Sequence, residues 1–231
     1  MELSVVEPLV ELLDQARTAE SRFVVSISGP PGAGKSTLAG LLHTAMVERH
    51  DKNTSAILPM DGFHLDNDIL DARGHRARKG APHTFDIAGL INVVSRVRQA
   101  DSDVYVPVFD REQDLSRAGA RVILSSQKLI LVEGNYLLLQ QPGWRELYAL
   151  FDYRISMEVA PAVLRKRLIQ RWLDHDHAPA EAKARAESND LPNAQLVVDD
   201  SRTADCIVRT DHADQTTLVM DSAASSSTAE T

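Results

Sequence analysis

A chain of 231 residues with 43% hydrophobic and 25% charged residues has the make-up of an ordinary globular protein, and its length fits one large domain or two small ones. That excludes a disordered, collagen-like or disulfide-stapled chain and leaves enough residues to bury a sizeable core. The net charge of −8 removes any global attraction to nucleic acid or anionic lipid, so neither is expected as a partner, and affinity for a phosphorylated ligand must come from a local arrangement.

The first ten residues carry Glu2 and Glu7 but no Lys or Arg, so no signal or transit peptide is expected there. The apolar runs, such as Leu129–Val132 and Tyr136–Leu139, fall far short of the ~18 residues of a membrane span. The expected compartment is therefore the cytosol. The single cysteine, Cys206, excludes an internal disulfide and a cysteine-based structural zinc site.

Val5, Leu9, Leu12 and Leu13 predict a helix over Ser4–Thr18 with Ser4 as N-cap. Arg22–Ser28 predicts a short apolar strand, Gly29–Gly34 a glycine- and proline-rich turn, and Ser36–His50 a helix. A second strand is expected at Ser55–Met60, ending at Asp61, before a polar, irregular stretch over 62–86. Helical spacing returns at Ile87–Ala100, and Val104–Phe109 reads as a strand followed by a charged, hairpin-like excursion over Asp110–Gly119. Val122–Leu124, Leu129–Val132 and Tyr153–Val159 predict further strands, the second apolar enough for an interior parallel position. Pro161–Leu173 and Ala178–Ser188 predict helices, and Cys206–Arg209 a last short strand. Residues 211–231 lose all pattern and end Ser/Ala/Thr-rich, so a disordered tail is expected. Strands alternating with helices define an α/β chain with a doubly wound, mostly parallel sheet. Ligands of such sheets sit beyond the carboxyl ends of the strands. Gly29, Asp61 and Glu133 each follow directly from a predicted strand.

Gly29-Pro30-Pro31-Gly32-Ala33-Gly34-Lys35-Ser36 fits G-x-x-x-x-G-K-[ST] without a mismatch, with a strand before it and a helix after it. Glycines let backbone N–H groups turn inward around phosphate oxygens, and the helix that follows offers its positive end. Residues Gly29–Thr37 are thus the expected ATP site: Lys35 reaches the β- and γ-phosphates, and the Ser36 hydroxyl serves Mg²⁺. Asp61 stands where a carboxylate can orient an acceptor hydroxyl and take its proton, or merely cap a turn. Glu133, after four apolar residues, is the second candidate for the Mg²⁺ site. Arg73, Arg76, Arg78 and Lys79 put four positive charges in seven residues of an acidic chain, as an anion-binding lid or a solvated run. Arg167 and Arg171, four apart, share one helix face and suit a lid over the phosphates, or simply face water. Asp174-His175-Asp176-His177 reads as a polar helix end rather than a metal site.

Taken in order, the phosphate loop, Met60-Asp61-Gly62-Phe63-His64, Arg78–Asp86, Pro107-Val108-Phe109-Asp110 and Val132-Glu133-Gly134 resemble the P-loop kinases of the uridine kinase, bacterial pantothenate kinase and phosphoribulokinase branch. The combination is most similar to proteins labelled putative fructose transport system kinase. The resemblance spans roughly residues 20–210. It implies a P-loop NTPase fold with a small lid, a single domain over 1–210 with lid and acceptor segments at 62–86 and 161–190, and transfer of a phosphoryl group from ATP to an alcohol. By resemblance, Asp61 is the catalytic base and Lys35, Arg167 and Arg171 complete the catalytic set. Glu133 and Ser36 form the metal site. Asp61, His64, Arg78, Lys79, His83, Phe109 and Asp110 border the acceptor, and Asn189–Asn193 matches a late loop of open role. Asp-Gly-Phe-His in place of Asp-Ser-Phe-Tyr, with a short lid, departs from the uridine kinases. A sugar, a nucleoside and a pantothenate-like alcohol all remain open as acceptor, as do a homodimer and, as the rival reading, an idle ATP-binding regulator. No Asn-Lys-x-Asp guanine-reading motif is present.

Overall fold

The computed structural model describes residues 3–16, 21–51, 53–212 and 215–220. In chain order these form α1 (Leu3–Ala16), β1 (Phe23–Ser28), α2 (Lys35–Arg49), β2 (Ser55–Pro59), α3 (Asn67–Ala72), α4 (Ile87–Gln99), β3 (Val104–Asp110), β4 (Leu115–Ile123) and β5 (Leu129–Gly134). They continue with β6 (Tyr153–Val159), α5 (Pro161–Asp174), α6 (Pro179–Arg185), α7 (Leu191–Asp200), β7 (Cys206–His212) and β8 (Gln215–Met220). Six strands make one sheet in the order β2-β5-β1-β6-β7-β8, parallel throughout except for the antiparallel β7–β8 pair. The fold is the doubly wound α/β arrangement that the alternation of elements implied.

The alternating side chains of the central strands face two separate cores. Val25, Ile27, Leu129 and Leu131 pack with Leu9 and Leu13 of α1 and with Leu38, Leu42 and Met46 of α2. Val24, Ile130 and Val132 face the other way, onto Leu90, Val94 and Val97 of α4 and onto Val104, Val106 and Ile123 of β3 and β4. Every residue of β5 is buried, which is why it reads as an unbroken apolar run. A third, small core of Leu164, Leu168, Ala186 and Ala194 joins α5 to the segment that follows α6.

Three expectations change. The strands at Val104 and Val122 do not enter the main sheet: β3 and β4 pair only with each other, with a register shift between Val106 and Val108. Pro107 occupies that shift, a place where a strand tolerates the lost N–H. Second, Asn189–Asn193 is not a loop. The chain leaves α6 through a wide π-type turn at Ala186–Asp190 and continues into α7, with Pro192 in the first turn, where its missing N–H is not needed. Third, disorder does not start at 211. β7 runs to His212, and β8 pairs with it from Met220 against Cys206 to Gln215 against His212. The β-favouring run Thr216-Thr217-Leu218-Val219 was masked by the low-complexity composition that follows it. The rest of the expected tail, 221–231, lies outside the described residues. Among the described residues no helix is long and apolar enough to cross a membrane.

Candidate active site

The parallel register brings the chemistry together. Ile27 of β1 and Pro59 of β2 both lie beside Glu133 of β5. The phosphate loop that follows β1, the Met60–Phe63 turn that follows β2 and the carboxyl end of β5 therefore open onto one cleft.

The loop at Gly29–Gly34 depends on its glycines for two distinct reasons. Gly32 and Gly34 take φ values of 81° and 95°, the left-handed region that glycine occupies without strain. At Gly29 the reason is space, since a Cβ there would lie 2.6 Å from the Met157 carbonyl oxygen of β6. Lys35, 7% exposed, donates from Nζ to the Pro30 carbonyl at 2.9 Å, closing the loop on itself. Burial pushes its ammonium down to about 8, against the pull of Glu133 and Asp61, with Arg171 and Arg111 adding to the fall. The Ser36 hydroxyl donates to Glu133 Oε2 at 3.1 Å. Burial raises the Glu133 carboxyl above its ordinary range, Asp61 adds to the rise, and Lys35 and Ser36 oppose it. A hydroxyl and a carboxylate this close at the cleft floor are the hard oxygen donors that suit Mg²⁺.

Across the cleft, Asp61 lies in the Met60–Phe63 turn, and its Oδ2 accepts from Arg111 at 2.9 Å. His64 Nδ1 sits 2.8 Å from the Asp61 carbonyl oxygen. Burial keeps that imidazole below its usual range despite the nearby Asp61, so the ring is neutral at pH 7. A carbonyl only accepts, so the geometry assigns the proton to Nδ1 and leaves Nε2 as an acceptor. The His64 ring is wedged between Phe85 and Phe109, with centroids 4.1 and 4.6 Å away. Lys79 Nζ donates to Asn67 Oδ1 at 2.7 Å and to the Asp114 carbonyl at 2.6 Å, pairs with the Asp114 carboxylate at 2.9 Å, and lies 5.1 Å from the Phe109 ring centre. Burial would raise the Asp114 carboxyl, but hydrogen bonds from Lys79 and Asn67 outweigh it and hold it low.

The third wall comes from α5 and the turn after α6. Arg171 pairs with Asp190 Oδ1 at 2.9 Å, and Trp172 Nε1 donates to Asp190 Oδ2 at 2.7 Å. Asn189 Nδ2 donates to the Lys79 carbonyl at 2.8 Å, and Arg78 reaches the Ser188 carbonyl at 2.7 Å and Asn193 Oδ1 at 3.1 Å. The cleft has a volume of about 990 Å³, with Lys35, Ser36, Asp61, His64, Lys79, Phe109, Arg111, Glu133 and Arg171 among its walls.

Of the expected ATP-site residues, Gly29, Pro30 and Ala33 stand outside those walls, and so do four of the expected catalytic and acceptor residues. Arg78 ties its own segment to the turn after α6 and to α7. Arg167 lies against the phosphate loop, 3.5 Å from the Ala33 carbonyl. His83 packs edge-on against His75 at 4.6 Å, and Asp110 pairs with Arg117 at 3.4 Å. Conversely Arg111, Asp114 and Trp172 line the cleft without having been singled out. Arg111 was detectable as the residue next to Asp110. Asp190 lies in the Asn189–Asn193 segment whose role was open, and its partners, 18 and 19 positions earlier on another helix, give it one.

A glycine-cradled lysine, a serine–glutamate pair and an aspartate across a cleft define a P-loop phosphotransferase. No family model matches the chain. The Escherichia coli protein YggC, of uncharacterised function, is 35% identical over 207 residues, which is 89% of this chain and 86% of that one. A putative uridine kinase of Schizosaccharomyces pombe is 31% identical over 207 residues, with coverage of 87% and 86%. The crystal structure of a putative fructose transport system kinase from a Silicibacter species superposes with a TM-score of 0.82 at 39% identity, over 89% of this chain and 98% of that one. The chain belongs to the P-loop kinases of the uridine kinase, pantothenate kinase and phosphoribulokinase branch, and is an ATP-dependent phosphotransferase with an alcohol as acceptor.

Proposed function

We propose that this kinase transfers the γ-phosphoryl group of ATP to a hydroxyl of a small polyhydroxylated molecule, a sugar, nucleoside or pantothenate-like alcohol, with Asp61 as the base. The observation that carries the reading is that Lys35, Ser36, Asp61 and Glu133 line one cleft, with the Ser36 hydroxyl on Glu133 at 3.1 Å. Gly29–Thr37 would bind the triphosphate. Ser36 and Glu133 would hold Mg²⁺, which supplies charge neutralisation at the β- and γ-phosphates. Asp61 accepts the hydroxyl proton as the acceptor oxygen forms its bond to the γ-phosphorus. The bond between that phosphorus and the β,γ-bridging oxygen breaks, and ADP leaves with the electron pair. Lys35 and Arg171 bear on the charge that accumulates in between. Most of the acceleration is positioning and electrostatics.

Asp61→Asn keeps the shape of the site and removes the base. Transfer is expected to fall by ~10²–10⁴, with ATP affinity within about twofold of wild type because the triphosphate is held by the opposite wall. Acceptor-dependent ADP release and calorimetric titration of ATP check both halves. Equal turnover of mutant and wild type with a working acceptor would remove Asp61 from the chemistry.

A further inference from the structure

The acceptor end of the cleft has three cations in its walls, Arg76, Lys79 and Arg111, and two carboxylates, Asp61 and Asp114. Lys79 is 13% exposed and is saturated by Asp114 and Asn67. Arg76 pairs with Asp71 at 3.0 Å and with Asp114 at 3.9 Å. Arg111 differs from both. Its side chain is 62% exposed, it stands at the mouth of the β3–β4 turn, and its partner is the carboxylate assigned to the acceptor hydroxyl.

On the kinase reading above, that pair must open. A guanidinium on Oδ2 occupies a position from which a hydroxyl would approach that carboxylate. An ion pair this exposed shifts an equilibrium by about fivefold at most, so an incoming oxyanion can displace the carboxylate, and a planar guanidinium pairs well with carboxylate or phosphate. A neutral acceptor brings nothing to exchange and leaves Asp61 clamped. The aromatic rings point the same way. Phe109 is engaged by His64 and Lys79, and Trp172 by Arg171 and Arg185 at 5.3 and 5.0 Å and by His177 edge-on at 5.2 Å. Among the described residues, the Phe109 and Trp172 rings of the lining already carry these contacts, whereas His64 Nε2 is an acceptor suited to a second hydroxyl.

We propose that the acceptor is a small alcohol that also carries an oxyanion, a carboxylate or a phosphate ester, and that Arg111 leaves Asp61 to bind it, so that acceptor binding itself frees the base.

The test is acceptor-dependent ADP release across matched three- to six-carbon sets, each a neutral polyol or sugar, its sugar-acid form and its phosphate ester, with nucleosides as a further arm. Turnover confined to the acids or to the phosphate esters is the expected result, and the arm that responds identifies the oxyanion. Arg111→Gln should then raise KM for that acceptor by about 10–100-fold with a smaller change in kcat and unchanged KM for ATP. Arg111→Lys should restore part of the loss. Efficient turnover of neutral sugars or nucleosides, with no preference for their acidic counterparts, overturns the proposal and leaves the kinase reading intact. An unchanged acceptor KM in Arg111→Gln also overturns it. If no member of any arm releases ADP, the proposal and the kinase reading fall together.

Discussion

The two sides of the cleft are assembled in opposite ways. The phosphate side is mostly local: Lys35 bonds a carbonyl five residues before it, and Glu133 is delivered by a strand already paired to β1. The side proposed for the acceptor is stitched from distant pieces: Arg111 to Asp61 spans 50 positions, Asn189 to Lys79 spans 110 and Arg78 to Asn193 spans 115. A site made from one loop stands or falls with that loop. A site made from several elements can be loosened one connection at a time, so substitutions on that side should change acceptor handling while ATP binding stays.

The strongest way to break this contrast is Gly62→Ala. A Cβ at Gly62 would lie 2.3 Å from the Pro107 carbonyl oxygen, so the Met60–Phe63 turn and β3 must separate. Asp61 and Phe109 move with them. We expect kcat/KM for the acceptor to drop by about 100-fold, consistent with a displacement of order 1 Å at a catalytic group, and stability to fall by about 1–3 kcal/mol. Calorimetric titration of ATP should barely change. A matching loss of ATP affinity would mean that the two sides are one mechanical unit.

The phosphate side is tested by pH. The Lys35 pKa of about 8 lies below its ordinary 10.5, so between those values the unfolded chain holds more protons. Stability of the nucleotide-free protein should therefore rise with pH across that window and gain nothing further above it. ATP acts in the opposite sense, because its phosphates favour the ammonium. ATP affinity should fall by about tenfold from pH 7 to pH 9, with proton uptake on binding that sets in through pH 8 and is largest above it, measurable by titration in buffers of different ionisation enthalpy. Acceptor KM has no such dependence on Lys35.

The same contrast explains what could be read in advance. The strand–glycine loop–helix unit was legible because its function is written in consecutive residues: Gly29–Ser36 states both the backbone shape and the groups it presents. Glu133 was legible because a charge closing four apolar residues needs a partner. The wall containing Asp190 was legible only as a segment resembling a late loop of open role, because its place is set by bonds to residues far off in the chain, Lys79, Arg171 and Trp172. Here tertiary hydrogen bonds override propensity. Arg78 was picked out for its charge, yet its charge is spent on holding Ser188 and Asn193, a role that no local pattern announces.

A milder test of the stitched wall is Asp190→Asn. Asp190 is buried and serves both Arg171 and Trp172. The amide keeps one hydrogen bond and loses the ion pair, so Arg171 stays near but loses its fixed orientation. We expect kcat to fall by about five- to tenfold, the share of one misplaced charged donor, and stability to drop by about 1–2 kcal/mol. Steady-state kinetics beside thermal melts separates the two effects. A stability loss with unchanged kcat would assign Asp190 to the scaffold alone.

The smallest expected effect is also the most selective. The Tyr136 hydroxyl donates to the Gly80 carbonyl at 2.6 Å, pinning the acceptor segment to the chain just beyond β5, while its ring packs edge-on with Phe85 and Trp144. Tyr136→Phe keeps the ring and leaves that carbonyl without its donor, for about 1 kcal/mol and a melting shift of about 2–4 °C in a chain of this size. Because the ring stays, the core keeps its packing, and any kinetic effect comes from the released segment alone. Acceptor KM should rise by about twofold with ATP KM unchanged. If KM moves only for ATP, Gly80 is fastened for the sake of the phosphate side, and the division between a local and a stitched half is drawn in the wrong place.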